Sequence, residues 1–165
     1  MNKNDEIDNN KLNLIEKPFI LQGKVIHGFG RGKKIGFPTA NLEYSEDFQK
    51  LSTGVFFGFA KLNKFGIFKM VMTIGCNPSF ENKIKTVEAH LLHEFNQDFY
   101  NEHLSLIICG YIRPLIKFSS IDELLQAIQK DRDFAEKELE DSKYNELRKC
   151  ENLDNQNSNQ NQNSN

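Results

Sequence analysis

Gly54-Val-Phe-Phe-Gly-Phe-Ala-Lys-Leu62, followed by Asn63-Lys-Phe-Gly66 and a second apolar run over 67–74, decides the fold. The first run is rich in aromatic and β-branched side chains and the tetrapeptide after it is turn chemistry, so the two runs read as a β-hairpin. Gly58 inside the first run marks a place where a second backbone or a ligand comes close. Outward from this hairpin the pattern repeats. A strand is expected over 19–27, carrying Ile20, Val25 and Ile26; a turn-rich segment, Gly75-Cys-Asn-Pro-Ser-Phe-Glu-Asn82, leads to another over 85–92; the last runs over 103–111. Five or six strands in succession, often apolar on both faces, imply an antiparallel sheet closed into a small barrel, which leaves no exposed edge. Beyond the strands, Ser120 with Glu123 forms a capping box, and Ile121, Leu124, Leu125, Ile128, Ala135 and Leu139 recur at helical spacing. One long helix over 120–147 is expected, with that stripe against the barrel.

A chain of 165 residues, 38% hydrophobic and 27% charged, fits one domain able to bury a core. Residues 1–16 and the Asn/Gln/Ser tail 151–165 are too polar to form one and are expected to be a disordered extension and a low-complexity appendage around a domain spanning 17–150. A formal charge of -2 argues against general affinity for nucleic acid. Cys76, Cys109 and Cys150 are widely spaced and odd in number, which suits a reducing compartment rather than a disulfide framework. With no signal-like N-terminus and no membrane-length apolar run, a cytoplasmic protein without a membrane partner is expected. Closure of the sheet gives no reason to associate, so a monomer is expected.

The chemistry concentrates in Gly28-Phe-Gly-Arg-Gly-Lys-Lys-Ile-Gly-Phe-Pro-Thr-Ala-Asn41. Gly28, Gly30, Gly32 and Gly36 free the backbone for positive φ and for amide groups converging on an anion, and Arg31, Lys33 and Lys34 add charge. Thr39 and Asn41 share a face if extended, and two neutral oxygens suit a magnesium ion that takes its charge partner from phosphates. On the strand over 85–92, Thr86, Glu88 and His90 project to one side and Val87, Ala89 and Leu91 to the other. By themselves the first segment also fits a plain glycine-rich turn, and the second a solvent-facing polar strip.

The two segments together resemble the riboflavin kinase (flavokinase) family, in which a Gly-x-Gly-Arg-Gly loop precedes Gly-Phe-Pro-Thr-Ala-Asn and a later strand carries Glu-x-His. Gly110-Tyr-Ile-Arg-Pro114 with Phe118-Ser119 is similar to the family's flavin-binding segment. The resemblance covers about 23–140 and implies a six-stranded antiparallel Greek-key β-barrel with a long C-terminal helix. It implies ATP as co-substrate and riboflavin as acceptor, with Glu88 as the catalytic residue and Thr39 and Asn41 as ligands of Mg²⁺, Zn²⁺ being the open alternative. Gly28, Lys34, Thr39, Leu91, His93 and Tyr100 would bind ATP, and Arg113, Ile116 and Phe118 the flavin. At this length there is no room for the nucleotidyltransferase domain of the family's bifunctional members, so a monofunctional enzyme is expected. Three departures stand out: Leu115 replaces the family's glutamate after Arg-Pro, Asn101 replaces a glycine after Tyr100, and Cys76 replaces an aromatic residue. The alternatives are a non-catalytic flavin or nucleotide-binding barrel and a single-stranded nucleic-acid binder using its phenylalanines.

Overall fold

A computed structural model describes residues 18–76 and 84–149. Both terminal appendages expected above, Cys150 and most of the turn-rich segment after Gly75 lie outside the described residues. Six strands form the sheet: β1 Phe19–Ile26, β2 Ala40–Leu42, β3 Gly54–Leu62, β4 Gly66–Cys76, β5 Lys85–Leu91 and β6 His103–Arg113. All neighbours are antiparallel, and the sheet closes in the order β1-β2-β5-β4-β3-β6. β3, β4 and β5 are consecutive neighbours while β6 returns beside β3, which is the Greek-key order.

β3 is buried along nearly its whole length because it works on both faces. Phe56, Ala60 and Leu62 point into the barrel with Leu21, Met70, Met72, Leu104 and Leu106. Phe57 and Phe59 point outward with Ile107 and Cys109 into a second core, covered by Ala135, Leu139, Tyr144 and Leu147 of the C-terminal segment. Two consecutive phenylalanines thus belong to two different cores. The polar excursion after Leu42 contributes more than its composition suggests. It contains a 3-10 turn, Glu46–Lys50, and Phe48 and Leu51 are both fully buried in the barrel core. Lys85 lashes this excursion to β5 by donating from Nζ to the carbonyls of Leu51 at 2.5 Å and Gln49 at 3.3 Å.

The expected single helix over 120–147 is broken. α2 spans Ile121–Glu138, and after a turn the chain continues through a 3-10 turn, Ser142–Tyr144, into a short helix, Asn145–Arg148. Asp141 causes the restart: its carboxylate accepts from the Lys143 amide at 2.9 Å, a local bond that competes with helix continuation. The fold-back brings Tyr144 and Leu147 onto the outer core. The apolar stripe is also only half used. Ala135 and Leu139 are buried, but Leu124, Leu125 and Ile128 are half-buried and Ile121 is 64% exposed. Half of the expected capping box forms: Ser120 Oγ accepts from the Glu123 amide at 3.2 Å, while the Glu123 carboxylate reaches past Ser120 to accept from the Ser119 amide and hydroxyl. Among the described residues no helix is long and apolar enough to cross a membrane.

Gly58 sits at a register irregularity between β3 and β6, where a Cβ would lie 1.9 Å from the carbonyl oxygen of Ile107. Gly58→Ala is therefore expected to lower unfolding stability by roughly 2 kcal/mol or more, since a packed backbone cannot yield to the methyl group. A denaturant melt on the full chain checks it, and a loss under about 0.5 kcal/mol would contradict the close approach.

Candidate active site

The site grows from the shortest strand. On β2, Asn41 stands opposite Ile26 of β1 on one side and Glu88 of β5 on the other. Its neighbour Ala40 and the Ala89 opposite it are buried, so alternation turns Asn41 and Glu88 to the outer wall of the barrel. Thr39 just ahead of β2 donates its hydroxyl toward Glu88 Oε2 at 3.4 Å. A hydroxyl, an amide and one carboxylate thus meet on the barrel's exterior.

The glycine loop closes over this group. Gly30 (φ 67) and Gly36 (φ 86) take positive φ, framing the one-turn helix α1, Arg31–Lys34. Gly28 and Gly32 are needed for another reason. A Cβ on Gly28 would fall 2.1 Å from Asn41 Nδ2, and one on Gly32 would fall 2.3 Å from the Phe37 carbonyl oxygen. A side chain at position 28 would displace the Asn41 amide from its present place, whereas one at position 32 would meet fixed backbone.

A cleft of about 870 Å³ opens beside these residues, a size typical of small-molecule sites. Gly28, Thr39, Asn41, Leu91, His93 and Tyr100 all line it. Lys34 does not; Lys33 does, with Asp98 3.7 Å from its ammonium group. Tyr100 stacks on His27 at 3.6 Å between ring centroids, and His93 packs against Phe68 and Phe95. Asn101 adopts φ 67, so asparagine takes over the left-handed turn where the resembled family has glycine.

His90, the next outward residue on β5, has Nδ1 2.6 Å from the Pro38 carbonyl oxygen, so that nitrogen carries the proton. Its Nε2 is buried without a partner, and Phe37 meets the ring edge-on. Burial pushes the His90 pKa below its usual value; the Pro38 hydrogen bond opposes this, and the nearby Arg132 charge adds to it. Arg132 projects from α2 with its guanidinium carbon 5.5 Å from the Phe37 ring centroid, and it lines the same cleft. Nothing in the sequence pattern had drawn attention to Arg132, since mid-helix arginines are usually solvated charges.

Arg113, Ile116 and Phe118 lie elsewhere. A continuous cross-strand row links them to the carboxylate: Glu88 opposes Thr73, Thr73 opposes Val55, and Val55 opposes Arg113. Three strand spacings put Arg113 roughly 14 Å from Glu88 along the sheet. A register irregularity between Val55 and Phe56 intervenes. Tyr111 packs toward the barrel interior, and strict alternation would send Arg113 there too; the bulge turns it out to α2 instead. There Arg113 donates from Nε and Nη2 to Asp131, at 2.7 Å for the shortest contact, with the Phe118 ring 5.8 Å from its guanidinium carbon. Leu115, Ile116, Ile121 and Phe134 are exposed apolar side chains at this end of the molecule.

Among the described residues no cluster of three or more His, Cys, Asp or Glu side chains is placed to hold a metal. The oxygens of Thr39 and Asn41 are hard, neutral donors beside a cleft, a set that fits an ion keeping most of its waters and sharing phosphate oxygens.

The Flavokinase family model, described as riboflavin kinase, matches residues 15–139. The chain is 53% identical over 131 residues to the bifunctional riboflavin kinase/FMN phosphatase of Arabidopsis thaliana, covering 77% of this chain and 35% of that protein, so it spans about a third of that relative's length. It is 43% identical over 127 residues to the riboflavin kinase of Homo sapiens, covering 74% of this chain and 82% of the relative. The crystal structure of riboflavin kinase from Trypanosoma brucei superposes with a TM-score of 0.65 at 30% identity, covering 80% of this chain and 86% of that one.

Two expectations follow from this geometry. Asp131 is only 6% exposed, so Asp131→Ala leaves a partly buried guanidinium unpaired and should cost about 3 kcal/mol, whereas Arg113→Met with Asp131→Leu should cost clearly less; chemical denaturation of the three variants measures the coupling. The lowered His90 pKa means the unfolded chain binds more protons than the folded one between the folded value and 6.5. Stability is accordingly full above that range and falls as pH drops through it, and His90→Gln should flatten this part of a Tm-versus-pH curve.

Proposed function

The chain belongs to the riboflavin kinase family, and we propose that it transfers the γ-phosphoryl group of ATP to the 5′-hydroxyl of riboflavin, giving FMN and ADP. The observation that carries this reading is the meeting of Thr39, Asn41 and Glu88 on one outer wall, beside a cleft wide enough for a nucleotide. The ribityl oxygen bonds to the γ-phosphorus as the bond from that phosphorus to the β–γ bridging oxygen breaks. ADP leaves with the electron pair, and the hydroxyl proton passes to the Glu88 carboxylate and then to solvent.

The glycine loop and Lys33 cover the phosphates, with Lys34 as a second cation able to swing over from the same turn. Leu91, His93 and Tyr100 border the base and sugar. Thr39 and Asn41 would hold Mg²⁺, or in its place Zn²⁺, and the ion would neutralise charge on phosphate oxygens. Riboflavin lies along the outer sheet, its ring toward Arg113, Ile116 and Phe118 and its ribityl chain toward Glu88. The exposed apolar side chains at that end suit a flat tricyclic ring, and the strand spacing between Arg113 and Glu88 suits a substrate with a long polyol arm. With Leu115 in place of the family's glutamate, flavin recognition there rests on apolar contact rather than a carboxylate. In this reading the domain over 17–150 works as a cytoplasmic monomer, which agrees with the absence of a free strand edge in the closed sheet and with the free thiols of Cys76 and Cys109.

The deciding assay is FMN formation from riboflavin, ATP and magnesium. Glu88→Gln is expected to cut kcat by roughly 10²-fold to 10⁴-fold with ATP binding nearly intact. Unaltered turnover would remove Glu88 from the reaction, and a wild-type chain that binds ATP yet forms no FMN would leave a non-catalytic nucleotide-binding barrel.

A further inference from the structure

We propose that Arg132, on the C-terminal helix, is a further catalytic residue whose guanidinium contacts the phosphoryl group in transit; the proposal rests on the kinase reading above.

Three observations carry it. The first is place. Arg132 lines the cleft together with Pro38, Thr39, Asn41 and His90, reaching over Phe37, two residues ahead of Thr39. It is the only part of α2 that borders that cleft among the described residues. The second is electrostatic. Of the lysine and arginine side chains lining the cleft, Lys33 faces Asp98, whereas Arg132 has no carboxylate partner among the described residues. Its Nε is buried and unpaired. A buried Nε without an acceptor is costly, an anion in the cleft would complete its hydrogen bonding, and the Phe37 face offsets only part of the cost. Arg148, whose Nε is also unpaired, differs: it donates to the Leu139 carbonyl and lies over Phe59, away from the cleft.

The third observation is how the helix is fixed. Asp131 is held by Arg113 at the flavin end, and Ala135 and Leu139 are packed on the outer core. Adjacent residues of one helix therefore reach the two substrate ends, Asp131 the flavin side and Arg132 the nucleotide side. The rigid backbone aims Arg132 before substrate arrives. Charge in phosphoryl transfer spreads over the equatorial oxygens of the moving group, and a planar guanidinium offers paired N–H donors to such oxygens.

The test uses the full chain with Arg132→Gln, Arg132→Lys and Arg132→Ala. Steady-state FMN formation gives kcat and KM; calorimetry with magnesium gives the affinities for ATP and ADP. Arg132→Gln is expected to lower kcat about 100-fold or more and to shrink the preference for ATP over ADP, with ADP affinity within about twofold of wild type. Arg132→Lys, which keeps the charge and most of the stem, should retain the ATP preference while losing about tenfold in kcat. Added guanidinium ion should restore part of the turnover of Arg132→Ala but none of Glu88→Gln. The proposal is overturned if Arg132→Gln keeps kcat within about threefold. It is equally overturned if the loss comes with matching loss of ADP binding, a lowered Tm and no guanidinium rescue, which would make Arg132 a clamp on Phe37. A wild-type chain forming no FMN would instead sink the kinase reading, and the ATP-against-ADP affinities would still show whether Arg132 meets the terminal phosphate.

Discussion

Three residues close this barrel. β2, Ala40–Leu42, pairs with β1 through Leu42 and Asn41 and with β5 through Asn41 and Ala40, so the sheet's continuity passes through one short strand. The same hydrogen-bonded register that closes the sheet puts Asn41 against Glu88 and leaves Thr39 within reach of the carboxylate. A slip of one residue in this pairing would turn Asn41 inward and the buried Ala40 outward. The buried alanines at 40 and 89 therefore specify the orientation of the polar pair as firmly as any contact made by the pair itself.

Because the barrel interior is filled by side chains, the polar group of Thr39, Asn41 and Glu88 lies on the outside wall, and the apolar part of that wall needs a cover. The C-terminal segment provides it. Ala135, Leu139, Tyr144 and Leu147 bury the outward phenylalanines of β3, while Ile121 at the start of α2 stays exposed. The Arg113–Asp131 pair ties the end of β6 to the middle of that helix.

Much of the fold is legible in the sequence. β3 was delimited to the residue, and the faces of β5 followed from alternation, with Val87, Ala89 and Leu91 buried and Glu88 exposed. Other readings went astray for identifiable reasons. Composition suggests positive φ for all the cradle glycines, yet only Gly30 and Gly36 take it; Gly32 is demanded instead by the Phe37 backbone, and Gly28 lies against the Asn41 side chain, contacts that no spacing announces. The excursion around Phe48 looked polar because two buried side chains are diluted by charged neighbours. The helix was drawn too long because helical spacing persists across Asp141, while the carboxylate's own hydrogen bond ends it.

Alternation and turn chemistry are local, so the sequence by itself determined the five long strands, the hairpin, the Ser120 cap and the outward face carrying Glu88, but not the three-residue β2, which is too short to show a pattern. The motif order determined the family resemblance. Only the tertiary structure decided which strands meet across the closure, because pairing between residues far apart in the chain depends on the register of the whole sheet. It alone turned Arg113 outward through a bulge that no composition announces. It alone brought Arg132 from α2 to the wall beside Pro38, since the direction of a helical side chain is fixed by what the other faces of that helix must bury.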